Sequence, residues 1–122
     1  MAEITRKELI LALIGMHEEH RPRLSGVDLS GLDLSYLNLS FSDLGGANLE
    51  GCACVGTNFN DAFLGGTNLK GANLQGAYLR NAQVRNADLR GADLTGARLT
   101  GAVFQGCDVE GATLPGAFQQ LA

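Results

Sequence analysis

The sequence predicts an all-β solenoid, a four-sided parallel β-helix with a short α-helix at its N-terminal end. Three observations predict it. One apolar residue recurs every five positions through most of the 122-residue chain. A glycine recurs two positions after it. The residues ahead of the first repeat carry the start signal and the apolar face of a capped helix.

Steps of five from Leu24 fall on Leu29, Leu34, Leu39, Leu44, Leu49, Cys54, Phe59, Leu64, Leu69, Leu74, Leu79, Val84, Leu89, Leu94, Leu99, Phe104, Val109 and Leu114. Nothing polar enters this central column. Two residues before each centre, from Ala47 onward, the side chain is small: mostly Ala, with Cys52, Thr57, Thr67 and Cys107 as substitutes. Asp or Asn recurs just before the centre, as at Asp28, Asn48, Asn73 and Asp93. A period of five fits neither a helix of 3.6 residues per turn nor the two-residue alternation of a strand. It fits a chain that turns a corner every five residues, where Gly or Asn supplies the positive φ at the third position of a type II turn. Four corners close a coil of 20 residues, and centres 20 apart stack, with one large and one small inward residue on each side. The nearly five coils make a body about 23 Å long at about 4.8 Å per layer.

The consensus Ala-Asp/Asn-Leu-x-Gly over residues 22–118 resembles the pentapeptide-repeat family. The resemblance implies a right-handed quadrilateral β-helix with no catalytic role. Some members of that family are DNA mimics that inhibit or protect gyrase, which implies an alternative function. Residues 4–40, with the run Arg23-Leu24-Ser25-Gly26-Val27-Asp28-Leu29, are also similar to the pentapeptide-bearing members of the BTB/POZ potassium-channel-tetramerisation-domain family. That resemblance implies a substrate-recruiting adaptor fragment of a cullin ubiquitin ligase component, although no BTB domain is present.

The pattern bends at its start. Val27, Leu32 and Leu37 stand in the small column, and Tyr36 and Phe41 stand at corners, as Asp61 does later. Aromatic residues fit poorly at positive φ, so these corners are expected to use another turn type. The outward aromatics are expected to need cover. Thr5 and Glu8 form a capping box, with Ile4 and Leu9 as its staple. Leu9, Ile10, Leu13, Ile14 and Met16 share one face of a helix expected from about Arg6 to Glu19, laid over the open first coil. The expected organisation is a capping helix and linker over 1–21, the β-helix over 22–118 and a tail over 119–122. Only Phe118 and Leu121 follow the last full repeat as apolar cover, so the C-terminal coil is expected to offer an end-to-end contact between copies.

Composition narrows the function. Net charge is −4, which does not suit non-specific nucleic-acid binding. No apolar run approaches the roughly 20 residues that span a bilayer. The run Leu9–Met16 lacks a cleavage site and has Glu3 and Glu8 beside it, and three cysteines make no disulfide framework. A cytoplasmic location is the expectation. His17 and His20 have a spacing that zinc could use but lack a third ligand, and Cys52 with Cys54 reads as buried filler. No nucleophile, base and orienting acid converge, so neither an enzyme, a metal nor a cofactor is expected.

Surface charge is the distinctive feature. Asp28, Asp33, Asp43, Glu50 and Asp61 precede a basic stretch of Lys70, Arg80, Arg85, Arg90 and Arg98, diluted by Asp88 and Asp93. Arg80, Arg85 and Arg90 follow three successive centres, and Arg98 and Arg80 flank equivalent ones. The belt reads either as plain solubility or as the contact for an unidentified acidic protein partner.

Overall fold

The computed structural model describes residues 4–14 and 22–116, the side chains of 11–14 excepted. From residue 22 onward it is a β-solenoid with a coil of 20 residues. Parallel bridges join residues 20 apart, from Arg23–Asp43 through Asn58–Tyr78 to Asp93–Thr113. Each centre from Leu24 to Leu94 donates its amide to the next coil, as Leu49 does to Asn68 O at 2.7 Å, and Asn68 returns a bond to Ala47 O at 3.0 Å.

Within a coil the chain turns four times. The turns close when a central carbonyl accepts the amide three residues on, as Leu24, Leu29, Leu34 and Leu39 accept from Val27, Leu32, Leu37 and Ser42. The third residue of every turn from Gly26 to Gly111 has a φ between 58° and 79°. Tyr36, Phe41 and Asp61 are no exception, with φ of 63°, 62° and 60°. The expectation of a different turn at the two aromatic corners is therefore wrong. Stacking fixes the backbone: Tyr36 donates to Val55 O at 3.0 Å while Leu37 closes its turn on Leu34 O at 3.2 Å. A local left-handed cost of about 1–2 kcal/mol does not outweigh that register.

The centres Leu29, Leu34, Leu49, Phe59, Leu69, Leu74, Leu79, Leu89, Leu94, Leu99 and Phe104 are all buried in one continuous apolar column. The small column fills the remaining space, and its polar members donate to backbone carbonyls. Thr57 Oγ1 reaches Leu34 O at 2.8 Å, Cys52 Sγ reaches Leu29 O at 3.0 Å, and Cys107 Sγ reaches Val84 O at 2.7 Å. These two cysteines thus act as donors as well as filler. All three cysteines are free. The Asp/Asn column makes turns: Asp28 Oδ1 accepts the Ser30 amide at 3.0 Å, and Asn73 Oδ1 accepts the Gln75 amide at 3.1 Å.

Helix α1 spans Arg6–Ile14. Thr5 and Glu8 exchange capping bonds of 2.9 and 3.1 Å. Leu9 is buried in the solenoid core, with Ile4 half-buried beside it. Arg6 donates to the backbone carbonyls of Asp33 and Ser35 in the first coil. The expected continuation to Glu19, the packing of Leu13 and Ile14, and the cover by Phe118 and Leu121 lie outside the described residues and side chains. The Tyr36 corner is not covered as expected: its ring is 77% exposed. The ring of Tyr36 points away from α1, along the axis, and lies over Gly56 one coil on.

Candidate protein-binding surface

The four arginines of the basic stretch have different surroundings. Arg90 is committed to its own coil. Its guanidinium donates to both oxygens of Asp88, at 2.9 and 2.7 Å, and lies 3.8 Å from Asp108. The Arg90 bond holds the Asp88 carboxyl down at about 2, and the same bond pushes the Arg90 guanidinium up. Arg85 is tied to Gln83 at 3.2 Å and to Gln105 at 3.1 Å.

Arg80 and Arg98 lie together on another flank, the one built on the column Leu39, Phe59, Leu79 and Leu99. Arg98 stands in register with Tyr78 one coil earlier, and its Cζ is 5.3 Å from the centre of the Tyr78 ring. Such a contact holds a cation over the negative face of the ring. Arg80 is two residues past Tyr78, exposed, and its guanidinium has no hydrogen-bond or ion-pair partner among the described residues. Its backbone amide donates to Asn60 Oδ1 at 2.9 Å. Asn38 and Asn58 precede Tyr78 in the same ladder. Their Oδ1 atoms accept from Ser40 and Asn60, which leaves their carboxamide N–H groups as donors. The flank two turns away around the coil differs sharply, carrying Asp28, Glu50, Lys70, Asp88, Arg90, Asp108 and Glu110.

Sequence reasoning passed over Tyr78 and Phe63. Both stand where Asp or Asn is usual, just before a centre, and that departure was the available signal. Phe63 is half exposed, and its ring rests on Gly45 and Gly65, where an added Cβ would come within 2.8 Å.

Among the described residues no three His, Cys, Asp or Glu side chains gather as metal ligands, and His17 and His20 lie outside them. Cys54 is buried, and donating its S–H to Cys52, together with burial, pushes its thiol up, away from thiolate reactivity. No described helix is long and apolar enough to cross a membrane.

A family model for pentapeptide repeats matches residues 21–51, 47–83 and 77–116 in eight copies. Among solved structures, the chain is similar to a pentapeptide repeat protein from the thylakoid lumen of Arabidopsis thaliana. The identity is 30%, over 89% of this chain and 82% of that one, with a TM-score of 0.75. It also matches Rfr23 of the cyanobacterium Cyanothece 51142 at 39% identity, over 73% and 65% of the chains, with a TM-score of 0.44. A pentapeptide repeat protein of Nostoc PCC 7120 matches at 30% identity, over 96% and 90%, with a TM-score of 0.47. No curated protein matches. With its repeats matched by the family model over most of its length, this chain belongs to the pentapeptide repeat family.

Proposed function

We propose that this protein is a non-catalytic interaction module: a rigid, right-handed, quadrilateral rod closed at its first coil by α1, on which one flank binds a protein partner. The observation that carries the reading is the unequal commitment of the arginines. Arg90 is neutralised by Asp88 and Asp108, whereas Arg80 and Arg98 share a flank on which neither meets a carboxylate among the described residues. Solvated charges placed only for solubility need no such segregation. Arg is also the cation favoured at interfaces, since its planar fork pairs with carboxylates in two bonds. A cytoplasmic location remains part of this reading.

The DNA-mimic alternative requires an acidic surface on all sides, and the Arg80–Arg98 flank opposes it. Among the described residues no feature specifically favours the adaptor-fragment alternative. The test is capture from the source lysate with the wild-type chain and with Arg80→Glu/Arg85→Glu/Arg98→Glu. Partners recovered by the wild type and lost by the variant support the reading. Equal recovery by both contradicts the assignment of the arginine surface.

A further inference from the structure

We propose that the occupant of the Leu39 flank is an extended acidic protein segment laid along the solenoid axis. This rests on the protein-binding reading above and specifies its partner.

The flank presents a row of groups running down the axis. The Tyr36 ring lies over Gly56, where an added Cβ would meet it at 2.6 Å, so it extends from its corner across the second coil. Tyr78 follows one coil later, two residues past the same corner column, and Arg98 stacks on it one coil further. Tyr36 is 77% exposed and Tyr78 37%. Three layer steps at about 4.8 Å separate the first coil from the fourth, so the row extends about 14 Å. That length suits a short extended segment.

The chemistry of the row is donor-rich. Arg80, Arg98 and the carboxamide N–H groups of Asn38 and Asn58 all donate. Among the described residues the flank itself carries no carboxylate, and Asp61 stands at its corner. A complementary ligand must therefore be anionic and rich in acceptors. Each guanidinium fork can pair with one carboxylate in two bonds, and the tyrosine rings supply apolar area at low conformational cost. A nucleic acid is the poorer fit. Two guanidinium groups neutralise few phosphates, too few for the backbone contacts on which nucleic-acid affinity rests.

The test uses the full chain and fluorescence anisotropy with a short synthetic peptide rich in Glu and Tyr. Controls are the same peptide with Gln for Glu, and single-stranded oligo-dT. The acidic peptide is expected to bind, more weakly as salt rises, and to lose at least about tenfold in affinity in Arg80→Glu/Arg98→Glu. Tyr78→Ala is expected to weaken it as well, and Arg90→Gln to leave it unchanged. Circular dichroism melts confirm that each variant is folded. Equal binding of the Gln peptide, tighter binding of oligo-dT, or equal losses in Arg90→Gln overturns the proposal. Concentration-dependent dimerisation abolished by the same double substitution assigns the flank to a second copy and also overturns it. If no acidic peptide binds while lysate partners are still captured, the acidic occupant is wrong and the interaction-module reading survives. If nothing is captured either, the module reading fails with it.

Discussion

The guanidinium of Arg6 stands over Asp33 in the place that a preceding coil fills in the rest of the solenoid. In the body, a carbonyl of the Asp33 column accepts an amide from the coil before it, as Ala53 does from Leu34 at 2.7 Å. The carbonyl two residues on does the same, as Val55 does from Tyr36 at 3.0 Å. In the first coil Asp33 O and Ser35 O accept instead from the two terminal nitrogens of Arg6. One forked side chain replaces two backbone donors.

Arg6→Ala should therefore loosen the first coil. A loss of about 1–2 kcal/mol is expected for the two carbonyls left to solvent. Arg6→Lys should recover only part of it, since an ammonium is not a fork. Hydrogen exchange provides the local readout. The amides of Leu34 and Tyr36 should exchange faster in Arg6→Ala while those of Leu74 and Leu94 hold. Uniform acceleration along the chain would mean that Arg6 does not act locally.

Corners are not equivalent. An added Cβ at Gly101, where φ is 75°, would lie 2.2 Å from Asn81 Oδ1 one coil earlier; at Gly46, where φ is 67°, it would meet nothing within 4 Å. Both substitutions to Ala pay the left-handed cost of about 1–2 kcal/mol. Gly101→Ala should cost more, because the Asn81 amide must also rotate away. In an Asn81→Gly background the difference between the two should vanish, as judged by urea midpoints. A difference that persists would locate the strain elsewhere.

Acid should unfold the protein late. The Arg90 bond holds Asp88 at about 2, and the Ser30, Ser35 and Thr95 bonds lower Asp28, Asp33 and Asp93. A carboxylate with a depressed folded pKa stabilises above its unfolded value near 3.8, and that contribution is lost as pH falls through the folded value. The melting temperature should hold from neutrality to about pH 4 and then fall toward about pH 2. Asp88→Asn should flatten the lower part of that fall. A decline beginning above about pH 5 would implicate other groups.

Thiol labelling should rank the cysteines. Cys107 is only half-buried, while Cys52 and Cys54 are enclosed. Burial pushes the Cys107 thiol up, so even this reaction should be slow. Under native conditions Cys107 is expected to label first, and Cys54 only on unfolding. Prompt modification of Cys54 would mean that its coil opens readily.

Much of the fold was legible because the repeat imposes it many times over. The period, the inward Leu74 and Leu79, the 20-residue stack and the Thr5–Glu8 box all follow from spacing and residue type. The corners at Tyr36 and Phe41 were misread because local preference was weighed without the stack, and the ladder bonds to the second coil override one residue's preference. Arg6 was invisible as a donor to carbonyls, since its partners lie 27 and 29 residues away and are backbone atoms. The arginines were legible as a group, but their division depends on neighbours one coil distant. Only the register brings Arg98 to Tyr78, and Arg90 to Asp108.

That register is the foundation of every surface assignment, and a matched pair of variants tests it directly by thermal melting. Leu74→Asp places an unpaired carboxylate in the core between Cys54 and Leu94, which costs several kcal/mol. Asn73→Asp keeps the oxygen that accepts the Gln75 amide and adds only a like charge beside Asp93, a cost of about 1 kcal/mol or less. The expected result is a cooperative melt within a few degrees of wild type for Asn73→Asp and no cooperative melt for Leu74→Asp. Similar melting temperatures for the two would contradict the register and every face derived from it.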